Sequence, residues 1–96
     1  LKKLKITLNT NKEKIIKEKN INNEITKYQI NITTKVKFKD DILKLSDDFT
    51  INVSGEYKVV AKHIQTINNE KKLQKNLADE IADRIIEELS DKLNDL

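Results

Sequence analysis

Apolar residues recur with two different periods in this chain, and the change of period constrains the fold more than any other feature. Leu4, Ile6 and Leu8, then Tyr28, Ile30, Ile32, Val36 and Phe38, then Leu43, Leu45, Phe49, Ile51 and Val53 fall on alternate positions. From Leu73 onward the spacing is four: Leu73, Leu77, Ile81, Ile85, Leu89 and Leu93, with Ala78, Ala82 and Ile86 beside them. Period two marks strands with one apolar face, and period four marks an amphipathic helix. The helix must lie on the face that the strands share. A strand containing Tyr57 leads through a Thr/Asn-rich link into it. The chain therefore reads as an α+β domain, an antiparallel β-meander packed on one face by a long C-terminal helix. The expected strands are at about 3–9, 25–39 and 42–61, with a helix at about 67–94, in a single domain over 1–96.

The alternation also predicts a register. The second apolar set is even-numbered and the third odd-numbered, so an antiparallel pair that keeps both on one face must join residues whose numbers sum to an odd value. A two-residue turn at Asp40-Asp41 gives 81. Phe38 then faces Leu43, Val36 faces Leu45, Ile32 faces Phe49, Ile30 faces Ile51 and Tyr28 faces Val53. The polar interruptions Thr34 and Asp47 also fall opposite each other. The first strand, with even apolar positions, needs an even sum and hence an odd loop, three to five residues around Asn20–Glu24. Ile15 and Ile16 break the alternation and predict a bulge.

Ninety-six residues make one domain with a modest core. Cysteine is absent, which excludes disulfides, zinc thiolates and thiol catalysis within the chain. His63 is the single histidine; no Ser-His-Asp arrangement can be argued from Ser46, Ser54 or Ser90 with one base at unknown distance, and the several His or Cys ligands a zinc site wants are lacking. Asp40-Asp41 and Asp47-Asp48 read as turn residues rather than paired catalytic carboxylates. Gly55, the one glycine, cannot form a phosphate-cradling loop and marks a bulge or a close approach. No catalytic residue, cofactor or metal is expected, and an enzyme is not the reading.

Charge is distributed unevenly. Residues 1–40 carry 11 lysines and 4 acids, a balance of +7, whereas residues 41–96 carry 8 basic and 12 acidic residues, a balance of −4. A basic sheet beside an acidic helix implies a directional partner. Lys12, Lys14, Lys17 and Lys19 read either as a phosphate-binding run or as an edge strand blunted by lysines. Nucleic acid is the natural rival partner at this charge. However, Tyr28, Phe38 and Phe49 fall on the inferred core face, and the solvent face offers Lys27, Lys35 and Lys37 among Gln, Asn and Thr without a stacking aromatic.

Two blocks resemble the lipopolysaccharide-assembly lipoprotein family LptE in its alphaproteobacterial form. Ile25-Thr26-Lys27-Tyr28-Gln29-Ile30-Asn31-Ile32 resembles the family's Thr-Lys-aromatic entry into a central strand. Tyr57 to Thr66, Asn69-Glu70 and Leu77-Ala78-Asp79-Glu80-Ile81-Ala82-Asp83-Arg84-Ile85 resemble its closing pattern of a tyrosine strand, a Thr-containing link and a Leu-Ala-x-x-Ile-x-x-Arg helix. The resemblance covers about residues 4–93.

It implies a noncatalytic outer-membrane component, a plug and partner of an LptD-like β-barrel that assists lipopolysaccharide transport to the cell surface. It also implies a lipid anchor holding the full-length protein at the periplasmic face of the outer membrane. The family's anchor cysteine, first helix and first strand would precede Leu1. Its basic residues have no strict counterpart here; the nearest candidates for lipid-phosphate binding are Lys17, Lys19, Lys62 and His63. Because family members cover the sheet with two helices, part of the apolar face is expected to be exposed here and to self-associate. The expected partners are thus the barrel, lipopolysaccharide and a second copy, not nucleic acid. A small basic nucleic-acid-binding module is the alternative function, and a purely structural adaptor a third.

Overall fold

The computed structural model describes residues 4–41 and 44–94. Strands β1 (Leu4–Lys19), β2 (Ile25–Asp40) and β3 (Leu45–Lys58) form one antiparallel sheet in that order, and helix α1 (His63–Asn94) returns along it. The fold is α+β, a three-stranded meander with one long C-terminal helix. Long strands and a long helix laid side by side give a rod-like body of 60 × 20 × 18 Å.

The predicted faces hold, whereas the predicted β2–β3 register does not. Ile30, Ile32, Val36 and Phe38 on β2, and Ile51, Val53 and Tyr57 on β3, are buried. The pairs, however, sum to 85. Ile32 faces Val53, Val36 faces Phe49, Tyr28 faces Tyr57, and Thr34 faces Ile51 rather than Asp47. Any odd sum keeps the same faces, so alternation alone could not select 81. The match of polar interruptions was a coincidence of spacing. Asp40 does not turn the chain. It ends β2, buried and paired with Leu45, so that residues 41–44 separate the two partners. Aspartate can adopt the positive φ that a two-residue turn demands, but neither Asp40 nor Asp41 does so here. The left-handed residue is instead Lys44, at φ 52°. The observed register also moves Lys37 opposite Asp48 and stacks the Tyr28 and Tyr57 rings at 5.6 Å. Leu43 lies outside the described residues.

The first strand follows its prediction more closely. Its pairs with β2 sum to 44, as in Ile6 with Phe38 and Leu8 with Val36, and five residues separate Lys19 from Ile25. The irregularity expected at Ile15-Ile16 falls just beyond them, between Ile16 and Lys19. Strand β1 nevertheless runs to Lys19 rather than ending near residue 9. The polar run from Asn9 to Lys14 pairs as well as the apolar one, because backbone hydrogen bonds do not depend on side-chain polarity. Within the following loop, Asn20 Oδ1 accepts from the Asn22 and Glu24 amides at 2.9 and 3.0 Å. Asn23 takes the left-handed conformation (φ 64°) that asparagine tolerates.

Helix α1 begins at His63 rather than at residue 67. Thr66 of the expected link thus lies within the helix. From inside the first turn its hydroxyl accepts from the Val60 amide at 3.0 Å and lies 3.2 Å from the Val60 carbonyl. Together with the Asn69 amide donating to the Lys58 carbonyl, this ties the helix to the end of β3. The apolar stripe behaves as expected, with Leu77, Ile81 and Leu89 buried and Leu73, Ile85 and Leu93 half-buried. Gly55 resolves as a close approach and not a bulge. Its pairing with Ile30 is regular, and a Cβ there would lie 2.5 Å from Leu73 Cδ1.

The helix lies mainly over β3 and reaches β2 lightly. Strand β1 is left aside. Val36 on β2 is 0% exposed, but its neighbour Leu8 on β1 is 54% exposed and Ile6 is 46% exposed.

Candidate functional site

The antiparallel order brings the β1–β2 loop, the end of β3 and the start of α1 to one end of the rod. The four residues expected to meet lipid phosphates, Lys17, Lys19, Lys62 and His63, all belong to this end and all are exposed. They do not form one cluster. Lys17 sits at the β1 irregularity, its ammonium 3.8 Å from Glu56 on β3. Lys27 bridges Glu18 and Glu56 at 3.8 and 3.7 Å beside it. Lys19 closes β1, Lys62 precedes the helix and His63 is its first residue. The first helical turn holds no acid, so the positive pole of the helix dipole adds to these cations. Exposed ion pairs such as Lys17–Glu56 contribute about 0–1 kcal/mol at most and exchange readily for another anion.

A tighter constellation lies slightly inward, on the face under the helix. The Lys14 ammonium stands 4.4 Å above the Tyr28 ring centroid, 5.8 Å from that of Tyr57, and 3.2 Å from Glu70 on α1. The nearby Tyr57 hydroxyl is the main reason the Lys14 pKa is raised above 10.5; burial opposes the shift and Glu70 assists it. Burial raises the Tyr57 pKa above 10.0, with Lys14 opposing. The sequence placed Lys14 in a lysine run and Tyr57 on a strand, but nothing in it joined the two. Their proximity needs the β1–β2 and β2–β3 registers together. The arrangement is a cation held by two aromatic rings and one carboxylate. It ties β1 to the helix layer, and because its partners are already satisfied it offers no vacant coordination.

The polar face is broad and lacks aromatics, since both tyrosines and both phenylalanines lie on the helix side. Hydroxyl and amide groups pair across it, as in Thr33 Oγ1 to Asn52 Oδ1 at 2.8 Å and Gln29 Nε2 to Asn31 Oδ1 at 2.7 Å. At the far end of the rod a shallow hollow is lined by Lys5, Lys37 and Lys39 together with Asp47 and Asp48. Its mixed charge favours no single sign of ligand. Asp47 is engaged by Lys92 of the helix at 2.9 Å, and that hydrogen bond, followed by one from the Asp48 amide, lowers its pKa below 3.8. Among the described residues no group of His, Asp and Glu could hold a metal ion, and no helix is long and apolar enough to cross a membrane.

No protein-family profile, curated protein or solved structure matches the chain.

Proposed function

We propose that this chain is a noncatalytic component of an outer-membrane assembly. In this reading it is an LptE-like partner of an LptD-like β-barrel that assists lipopolysaccharide transport, held at the periplasmic face by a lipid anchor in the full-length protein. The observation that carries the ligand side is the gathering of Lys17, Lys19, Lys62 and His63 at one end of the rod, next to a helix N-terminus without acids. Such an end pairs with phosphate groups through charge-assisted hydrogen bonds. The exposed apolar residues of β1 supply contacts for a partner's apolar surface. The nucleic-acid alternative would have to rely on lysine alone, because the polar face carries no aromatic on which bases could stack.

Lysine–phosphate pairing is salt-sensitive for either ligand, so salt by itself does not discriminate. Acyl chains add an apolar component that salt does not remove. Binding to lipopolysaccharide is expected to survive moderate salt in part, with only weak and fully salt-labile binding to RNA or DNA. Replacing Lys17, Lys19 and Lys62 together by Glu is expected to reduce lipopolysaccharide binding and to leave the circular dichroism spectrum unchanged, since all three are exposed. Unaltered binding by this triple variant would remove these residues from the site. Tight oligonucleotide binding at physiological salt, with none to lipopolysaccharide, would overturn the function.

A further inference from the structure

Strand β1 and the C-terminal half of α1 form the two walls of an open apolar trough. On the strand side, Ile6 and Leu8 point to the helix layer yet remain about half exposed. On the helix side, Glu70 marks the flank that faces β1, through its bond to Lys14. The fourfold series from Glu70 runs through Ala78 and Ala82, both exposed, to Ile86, which is 64% exposed. The opposite flank is marked by Arg84, which donates to the Asn52 carbonyl of β3. The apolar shoulder of the helix is therefore the one turned away from its own packing partner.

The walls carry opposite charge. On the helix side of β1 the lysines are Lys12 and Lys14, both exposed, and on α1 the carboxylates Asp79 and Asp83 are exposed outside the Arg84–Glu80 pair. Within the chain the two walls are joined by the ion pair Lys14–Glu70 near the other end of the strand, which leaves Lys12, Asp79 and Asp83 to pair with a second copy. A surface made of one basic and one acidic wall matches itself under a two-fold axis, because rotation sets the acidic wall of each copy on the basic wall of the other.

We propose that a second copy of this chain covers the trough, in a closed two-fold dimer. The acidic helix half of each copy lies over the basic first strand of the other, and Ile86 packs against Ile6 and Leu8 across the interface. Lys12, exposed on the helix side of β1, then approaches the exposed acids Asp79 and Asp83 of the second copy. The dimer uses none of the cations of the basic end, but it shares the apolar residues of β1 with the partner contacts proposed above, so a second copy and another partner would compete for them.

Sedimentation velocity over a wide concentration range tests it. A monomer–dimer equilibrium is expected, weakened by salt. Leu8→Asp and Ile86→Asp are each expected to raise the dissociation constant by about tenfold or more, because each puts a carboxylate into an apolar contact. Both sites are exposed in the monomer, so the circular dichroism spectrum should not change. Lys12→Glu is expected to weaken the dimer, and adding Asp79→Lys and Asp83→Lys to the same chain to restore it. A monomer at every concentration overturns the proposal. So does a dimer indifferent to both apolar substitutions. Open-ended polymers indifferent to Ile86→Asp also overturn it, because they would show pairing through the backbone edge of β1.

Discussion

The two outer strands of the sheet carry similar alternation but have different fates. Ile51, Val53 and Tyr57 of β3 lie under the helix and are buried, while Ile6, Leu8 and Ile16 of β1 lie beside it and are exposed. The short link from Lys58 to His63, held by Thr66 and Asn69, leaves the helix no room to swing across to β1. Burial here is thus decided by the connection, and hydrophobicity only makes a residue eligible for it. Strand β1 keeps its place through backbone pairing, the Thr10–Thr34 hydroxyl contact at 3.2 Å and the Lys14 constellation.

The sharpest test of this contrast is to make the same truncation on both sides. Leu77, 3% exposed over β3, is expected to cost about 2–5 kcal/mol as Leu77→Ala, the range for a buried leucine. Leu8→Ala on β1 is expected to cost well under about 1.5 kcal/mol, because half of the side chain already meets water. Urea unfolding of the two variants, at concentrations where the chain is monomeric, measures both. Equal losses would mean that β1 is covered in solution by something other than a second copy.

A smaller effect comes from filling the space where the helix approaches the sheet most closely. Gly55→Val is expected to destabilise by about 1–3 kcal/mol, since the new side chain meets Leu73 and Leu77 and must lift the helix or displace their tips. The same denaturant titration checks it. No loss would show that the helix rides higher on β3 than the structure describes.

The smallest expected effects are pH-dependent, and they separate the two strands again. Lys14 and Tyr57 both hold their protons more tightly when folded than their ordinary values of 10.5 and 10.0. The stability they contribute is fully present below those values and is lost as pH rises through the raised folded ones. Alkaline titration should therefore loosen the attachment of β1 first. Tyr57→Phe is expected to blunt the alkaline loss, as followed by near-ultraviolet circular dichroism. At the other extreme Asp47, lowered below 3.8 by Lys92, contributes stability above that value and loses it as pH falls through the folded one. This pair is exposed, so only a slight rise in the midpoint pH of acid unfolding is expected for Lys92→Ala relative to wild type.

How far the sequence can be read follows from which properties are local. Which residues of each strand face the helix, the identity of the helix stripe, the odd length of the first loop and the special role of Gly55 all follow from spacing along the chain. They stand in the structure. The candidate phosphate-binding residues were found by composition and resemblance, and the fold brings them to one end without joining them. Lys14 with Tyr28, Tyr57 and Glu70 was not legible, because its members come from four different elements.

What the tertiary structure alone decided is the β2–β3 register, the placement of Asp40 inside the strand end, the start of the helix at His63 and the choice of β3 over β1 as its bed. The reason is physical. Period fixes a face, and every register of the same parity satisfies it equally. Choosing among them takes contacts between residues distant in sequence, such as Tyr28 on Tyr57 and Lys37 opposite Asp48. A helix with one apolar stripe can likewise lie on any apolar strand, until a short link ties it to one.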